Sequence, residues 1–570
     1  MRYIILFICT AVISGCVGVK KPVGQVVKPY DYKIEKNITV SKGAVVSAHP
    51  LASQAGLLVL QKGGNAVDAA IATQWALAVV YPVAGNIGGG GFMVASLKNG
   101  EKLALDYREK APAKAHRDMY LDENGNVIAR KSLDGHLAAG VPGTPAGLFA
   151  ALKYARLPMK VLIQPAIDLA EKGFVITDAE ARSLNATKAK FEKLNTQPTT
   201  FVKTGLWREG DILVQKDLAA TLRRIQQKGK AGFYEGETAE LIVAEMQRGG
   251  GIISKEDLKN YEAKFRTPHL FTYRGLDLIT MPMPSSGGLL LHQMLKMIEP
   301  FEVAKMGFQS PDAVQLMVEI ERRAYADRAR YMGDMDFYKV PVEELTDEAY
   351  LKNRMKDYKP GEAGSSALVR PGVVPGYESE ETTHLSVIDN EGNAVSVTTT
   401  LNTGYGCKII VGGAGFLLNN EMDDFSTKPG TPNVFGAVGG KANAIEPGKR
   451  MLSSMTPTVV MKAGKPWLVV GTPGGTTIPT SVFQTIVNIV DFDMSAVDAV
   501  NKPKFHHQWL PDSVDIEKGF LPATAKVLEQ MGYKLDERGQ IGRTEVIKVL
   551  PNGRFEAVAD IRGDDSAAGW

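Results

Sequence analysis

Cysteine is scarce: three residues in a chain of 570. Cys9 and Cys16 sit at the N-terminal end, so a chain that loses that end keeps only Cys407, and no disulfide can form within it. A single thiol raises the question of a cysteine nucleophile, but no histidine partner stands near Cys407 in the sequence. It reads as an inert packed side chain. An excess of one charge is missing too, since 66 Lys and Arg face 63 Asp and Glu, a net +3 without basic runs. Nucleic acid is therefore excluded as a partner on charge grounds.

The apolar run at residues 4–13, which follows Arg2, is too short to cross a bilayer as a helix. It reads as a secretory signal over residues 1–15. The adjoining Ile13-Ser14-Gly15-Cys16 resembles the bacterial lipobox, after which Cys16 becomes the lipidated first residue, followed by a linker over residues 16–37. The expected product is an exported, periplasmic lipoprotein whose only contact with the membrane is its lipid; stable anchoring of that kind needs more than one acyl chain.

Metal-ligand spacing is lacking as well. His506 and His507 are adjacent, neighbouring strand residues point to opposite faces, and no carboxylate or cysteine cluster accompanies them, so neither a metal nor another cofactor is expected. Gly88 to Gly91 lacks the Lys-Ser/Thr of a phosphate loop and reads as a tight backbone packing element. No repeat of fixed period is visible.

What is present is a globular composition, 44% hydrophobic and 23% charged, enough for a large core in one or two domains. Helical spacing of apolar residues predicts helices over 64–80, 146–154, 161–171, 218–227, 238–247, 288–298 and 311–331. Residues 359–381 are rich in Gly, Ser and Pro and read as a loop. Beyond it the pattern turns to strands: 383–389 with 394–400, 458–461 with 468–471, and 546–550 with 555–560, each pair joined by hairpin chemistry, plus one helix at 478–489.

The junction Ser379-Glu380-Glu381-Thr382-Thr383-His384 puts a threonine between that loop and a core strand. Threonine opens many strands for its β-propensity alone. An N-terminal threonine has a second use, because its own α-amino group, with a pKa near 8, is a built-in base for its hydroxyl.

Longer words surround it: Thr382-Thr383-His384-Leu385-Ser386-Val387, Thr400-Leu401-Asn402, Leu418-Asn419-Asn420-Glu421-Met422-Asp423-Asp424-Phe425, Leu452-Ser453-Ser454-Met455 and Gly471-Thr472-Pro473-Gly474-Gly475. Upstream stand Gly85-Asn86-Ile87-Gly88-Gly89-Gly90-Gly91-Phe92, Asp106-Tyr107-Arg108-Glu109 and Met283-Pro284-Ser285-Ser286-Gly287-Gly288. In order and spacing these resemble the γ-glutamyltransferases, or γ-glutamyltranspeptidases, over nearly the whole chain from about Gly43.

The resemblance implies an α+β fold, the four-layer αββα sandwich of the N-terminal nucleophile hydrolases. It implies one precursor cut by itself between Glu381 and Thr382 into a large subunit, residues 38–381, and a small one, residues 382–570. Thr382 is then the nucleophile that takes a γ-glutamyl group from glutathione or another γ-glutamyl compound and passes it to water, an amino acid or a dipeptide. By the same resemblance Gly474 and Gly475 form the oxyanion hole and Thr400 orients the nucleophile. Arg108, Ser453 and Ser454 hold the substrate's α-carboxylate, while Asp424 pairs with its α-ammonium, helped by Asn402 and Glu421; Asp423 is structural. Residues 427–449 resemble a lid over the donor pocket, with Phe435 where several bacterial relatives carry tyrosine, so a hydroxyl contact from the lid is absent. Rival readings within the fold are a cephalosporin-acylase-like or poly-γ-glutamate-processing amidase. From another class, the rival is an uncleaved peptide-binding lipoprotein.

Overall fold

The computed structural model describes residues 27–369, 382–428 and 440–570. The predicted signal segment, Cys16, Glu381 and Phe435 lie outside the described residues.

Two seven-stranded sheets form the middle of the molecule. One runs Ser566–Gly569, Gly43–Ser47, Thr383–Asp389, Ala394–Thr400, Gly90–Ser96, Lys102–Asp106, Lys264–Arg266, all antiparallel. The other runs Asn37–Val40, Phe555–Val558, Glu545–Val549, Lys465–Gly471, Thr458–Lys462, Leu276–Thr280, His269–Tyr273, again antiparallel. Alternation along the strands assigns side chains to three cores. Val46, Phe92 and Val94 meet Ile279, Val459, Val469 and Ile547 between the sheets. Val45, Leu385, Val387, Val395 and Val397 face outward onto helices Pro50–Gln61 and Ala66–Val80. Leu278, Val460, Leu468 and Val470 face outward the other way, onto Gly287–Ile298, Pro311–Tyr331 and Thr477–Val490. The layers are thus helix, sheet, sheet, helix, as the resemblance implied. Each sheet interleaves strands from before and after the Glu381–Thr382 bond, so neither piece holds a complete sheet.

Helix Pro311–Tyr331 matches its predicted span. The helix expected over 161–171 divides into Met159–Leu162 and Gln164–Lys172, with Pro165 in the first turn of the second piece, where its missing N–H costs least. Two of the longer helices escaped the periodicity, Pro50–Gln61 and Asp178–Leu194, as did shorter ones such as Pro522–Gln530. The stretch expected as linker up to residue 37 ends in a paired strand, Asn37–Val40. No helix among the described residues is long and apolar enough to cross a membrane.

Candidate active site

Thr382 stands just before the strand Thr383–Asp389, and Thr400 closes the neighbouring strand Ala394–Thr400. Thr383 pairs with Thr399, so one more step along the antiparallel ladder sets Thr382 beside Thr400. Both are buried, at 5% and 3% exposure. Thr400 Oγ1 accepts the backbone N–H of Asn402 at 2.7 Å, in a turn where Asn402 takes φ +77°, a left-handed conformation that asparagine tolerates better than most residues. From the other side Asn86 Nδ2 donates to Thr400 O at 2.8 Å, while Asn86 Oδ1 accepts Gly89 N–H at 3.1 Å and Thr144 Oγ1 at 2.7 Å. The glycine run beside Asn86 is the packing element expected from sequence: a Cβ on Gly89 would lie 2.1 Å from Thr400 O.

Across the sheet interface the chain turns from Lys465–Gly471 into helix Thr477–Val490 through Gly474 and Gly475, at φ +138° and +56°. Glycine permits these angles without strain. The turn is braced by Thr477, whose N–H and Oγ1 both donate to Gly474 O, at 2.9 and 2.7 Å, and by Tyr325, whose hydroxyl donates to Thr476 O.

Thr382, Thr400, Asn402 and Gly475 line a hollow of about 330 Å³ whose remaining walls include Arg108, Arg328, Glu421, Asp424, Ser453 and Ser454. Every substrate-binding residue expected from the sequence is brought together here. Arg108 is 1% exposed; its guanidinium lies 2.5 Å from Glu421 Oε2 and 3.5 Å from Glu109 Oε2, donates to Asp424 Oδ2, and reaches Met451 O at 3.3 Å. Burial alone would push that guanidinium down, but Glu421, Asp424 and Glu109 outweigh it and hold it up. Burial pushes the Glu109 carboxyl up to about 8 against the pull of Arg108, and raises Glu421 and Asp424 likewise. Asp423 turns away and accepts Ser132 Oγ at 2.5 Å, the structural role expected of it.

The serine pair is positioned by a second word. Ser453 N–H donates to Pro284 O at 2.9 Å, and Ser286 returns a bond from its N–H to Ser453 O at 2.8 Å. Arg328, on helix Pro311–Tyr331, then donates to Ser286 Oγ at 3.0 Å and Ser454 Oγ at 3.1 Å. Sequence reasoning missed Arg328, and gave no role to Glu109 or Asn86. The available signal for Arg328 was the run Glu321-Arg322-Arg323 with Asp327-Arg328 inside a helix too apolar elsewhere to be a surface element.

Other candidates stay apart from this site. Cys407 is fully buried, and burial pushes its thiol up to about 12. His506 hydrogen-bonds Thr480 and Gln508, whereas His507 accepts from Trp509 N–H. Among the described residues no three His, Cys, Asp or Glu side chains group as metal ligands.

Comparison with known proteins places this geometry. A family model described as gamma-glutamyltranspeptidase matches residues 52–570. The glutathione hydrolase proenzyme of Escherichia coli (strain K12) is 48% identical over 95% of each chain. Among solved structures, a cephalosporin acylase from Bacillus halodurans superimposes with TM-score 0.83 at 27% identity, over 95% of this chain and 98% of that one. Helicobacter pylori gamma-glutamyltranspeptidase is 47% identical with TM-score 0.56, covering 60% of this chain and 97% of that one. The chain, from the glycine run to the C-terminal strand, belongs to the gamma-glutamyltranspeptidase family.

Proposed function

We propose that this protein is a self-cleaving γ-glutamyltransferase and glutathione hydrolase, cut between Glu381 and Thr382, with Thr382 as its nucleophile. The observation that carries the reading is the position of Thr382, at the edge of a buried pocket where the Arg108 guanidinium faces three carboxyls, Glu109, Glu421 and Asp424. Such a pocket matches the two opposite charges of a free α-amino acid end, with Arg108 able to bind both oxygens of the α-carboxylate and Asp424 taking the ammonium.

In the precursor, Thr382 Oγ1 attacks the Glu381 carbonyl, and water hydrolyses the resulting ester. The α-amino group freed on Thr382 then serves as base for the same hydroxyl. With a γ-glutamyl donor, Oγ1 attacks the γ-carbonyl, the amine leaves with a proton, and water or a second amine resolves the γ-glutamyl ester. The backbone N–H groups of Gly474 and Gly475 stabilise the oxyanion, a contribution of roughly 3 kcal/mol per donor, and the Thr400 hydroxyl orients the nucleophile. Glutathione is the expected donor and an amino acid or dipeptide the expected acceptor. The lipobox-like Ile13-Ser14-Gly15-Cys16 supports an exported lipoprotein held in the periplasm through Cys16.

Purified protein assayed on a γ-glutamyl anilide and on glutaryl-cephalosporin tests the substrate class. Turnover of the first is expected; turnover of the second alone would overturn the assignment in favour of an acylase. Mass spectrometry of the membrane fraction tests the anchor: acyl groups on Cys16 support it, and an unmodified Cys16 contradicts it.

A further inference from the structure

Polar cross-strand pairs run inward from the nucleophile. His384 pairs with Thr398 and Ser386 with Ser396 across strands Thr383–Asp389 and Ala394–Thr400, and Thr382 beside Thr400 continues the row by one step. Alternation turns these side chains toward the second sheet, whereas Leu385, Val387, Val395 and Val397 between them face the helices. Farther along the same inner face the pair is Ile388 and Ala394, part of the apolar core between the sheets. The polar pairs therefore fill the part of this face nearest Thr382.

Their bonds cross the interface. Ser396 Oγ donates to Val470 O at 3.1 Å and accepts Thr458 N–H at 3.0 Å, while Ser386 Oγ donates to Glu545 O at 3.1 Å. Glu545 is paired in register with Gly471, the last residue of the strand that leads into the glycine turn. His384 is fully buried, with Nδ1 2.9 Å from Thr398 Oγ1 and Nε2 3.1 Å from Ser386 Oγ. Its ring occupies the space a side chain at position 471 would need, since a Cβ on Gly471 would lie 2.2 Å from His384 Cε1. The one Ser386 proton goes to Glu545 O, so Nε2–H must donate to Ser386 Oγ, and Nδ1 of a neutral ring then accepts from Thr398. Burial keeps the ring neutral by pushing its pKa down to about 3.

We propose that His384 is a positioning residue that sets the distance between Thr382 and the Gly474-Gly475 turn. The proposal rests on the reading of Thr382 as nucleophile and of those glycines as its oxyanion hole. His384 follows Thr382 by two positions on one sheet and packs against Gly471, three positions before Gly474, on the other. A side chain without its bonds lets the sheets shift there. Oxyanion donors act only at hydrogen-bond distance, so such a shift slows the chemistry while leaving the charged pocket intact. Acylation and deacylation both pass through that oxyanion, and kcat carries the loss whichever step limits it.

The test uses the full-length protein and a γ-glutamyl anilide, with free glutamate as a competitive inhibitor that reads the pocket without chemistry. Rates refer to the cleaved fraction. His384→Phe, of similar bulk but without ring nitrogens, is expected to lower kcat on the order of 100-fold while donor KM and inhibitor Ki stay within about twofold. His384→Gln keeps a donor and an acceptor and should lose about tenfold. Self-cleavage uses the same groups and should slow in the same order. Gly471→Ala should cost on the order of 100-fold in kcat, and adding the smaller His384→Asn should recover about tenfold of it. Equal kcat in wild type and His384→Phe overturns the proposal. So does KM and Ki rising in step with the fall in kcat, the mark of a loosened fold, and so does a Gly471→Ala loss that His384→Asn deepens. A further readout needs no turnover: nitrogen-15 histidine spectra of the wild type, assigned against His384→Gln, should show a neutral ring protonated on Nε2 between about pH 6 and 9. A charged ring, or one protonated on Nδ1, contradicts it. Wild-type protein inactive on every donor is a different result: it removes the enzymatic reading itself, and the positioning role with it.

Discussion

The two hollows that meet at Thr382 are built by opposite means. The smaller is assembled from buried charge and hydroxyls drawn from distant parts of the chain: Arg108 after one strand, Arg328 on a helix, Glu421 and Asp424 in one turn of 3₁₀ helix, and Ser453-Ser454 in a loop. The larger, which Thr382 also lines, has mainly apolar and aromatic walls, Tyr81, Ile176, Leu184, Leu213 and Tyr405, with Glu180, Arg543, Arg562 and Asp564 among them. Buried ions must be mutually satisfied, so the first pocket accepts few shapes, whereas apolar walls discriminate only by a few kcal/mol per group. The smaller pocket is therefore the stricter of the two in what it admits.

The sharpest way to break the comparison is Arg108→Gln, which leaves Glu421 and Asp424 without the guanidinium they share. Steady-state kinetics should show kcat/KM lower on the order of 1,000-fold for every donor alike. Gly474→Ala comes next, since Gly474 sits at φ +138° and an added Cβ would lie 2.4 Å from Thr477 Oγ1. A kcat loss on the order of 100-fold at saturating donor is expected, again independent of the amine. Thr400→Val removes the hydroxyl that accepts Asn402 N–H, and a gel time course should show self-cleavage slowed about tenfold.

A subtler effect comes from pH. Burial raises Glu109 to about 8, and above that it places a negative charge beside Arg108, which under the proposed function competes with the substrate carboxylate. Donor KM should therefore rise as pH passes about 8, and Glu109→Gln should flatten the rise. The same raised value means the folded state holds a proton the unfolded state has lost, so stability falls as pH climbs from the ordinary carboxylate range toward 8. The smallest effect is at Cys407, whose buried thiol should resist alkylation in the folded protein, as peptide mass mapping would show.

Residues carried in long distinctive words were readable from the sequence, and the structure gathers Thr382, Thr400, Arg108, Asp424 and the two serines around one hollow. What escaped has physical reasons. Helix Asp178–Leu194 fully buries only Ala181, Leu184 and Phe191, too sparse a stripe for apolar periodicity to register. Pro50–Gln61 is buried on nearly every side, so it has no polar face to set a period. Arg328 acts through Ser286 and Ser454, residues far from it in sequence, and only tertiary packing reveals such a contact. Glu109 matters because it shares Arg108 with two other carboxyls, a relation that residue type and spacing do not encode.

Intact-mass spectrometry of purified wild-type protein and Thr382→Ala tests the central claim most directly. The wild type should give two fragments, the second running from Thr382 to Trp570, and the variant one uncut, inactive chain. A single uncut wild-type chain that turns over γ-glutamyl anilide, or a Thr382→Ala protein cut at the same bond, would contradict the account.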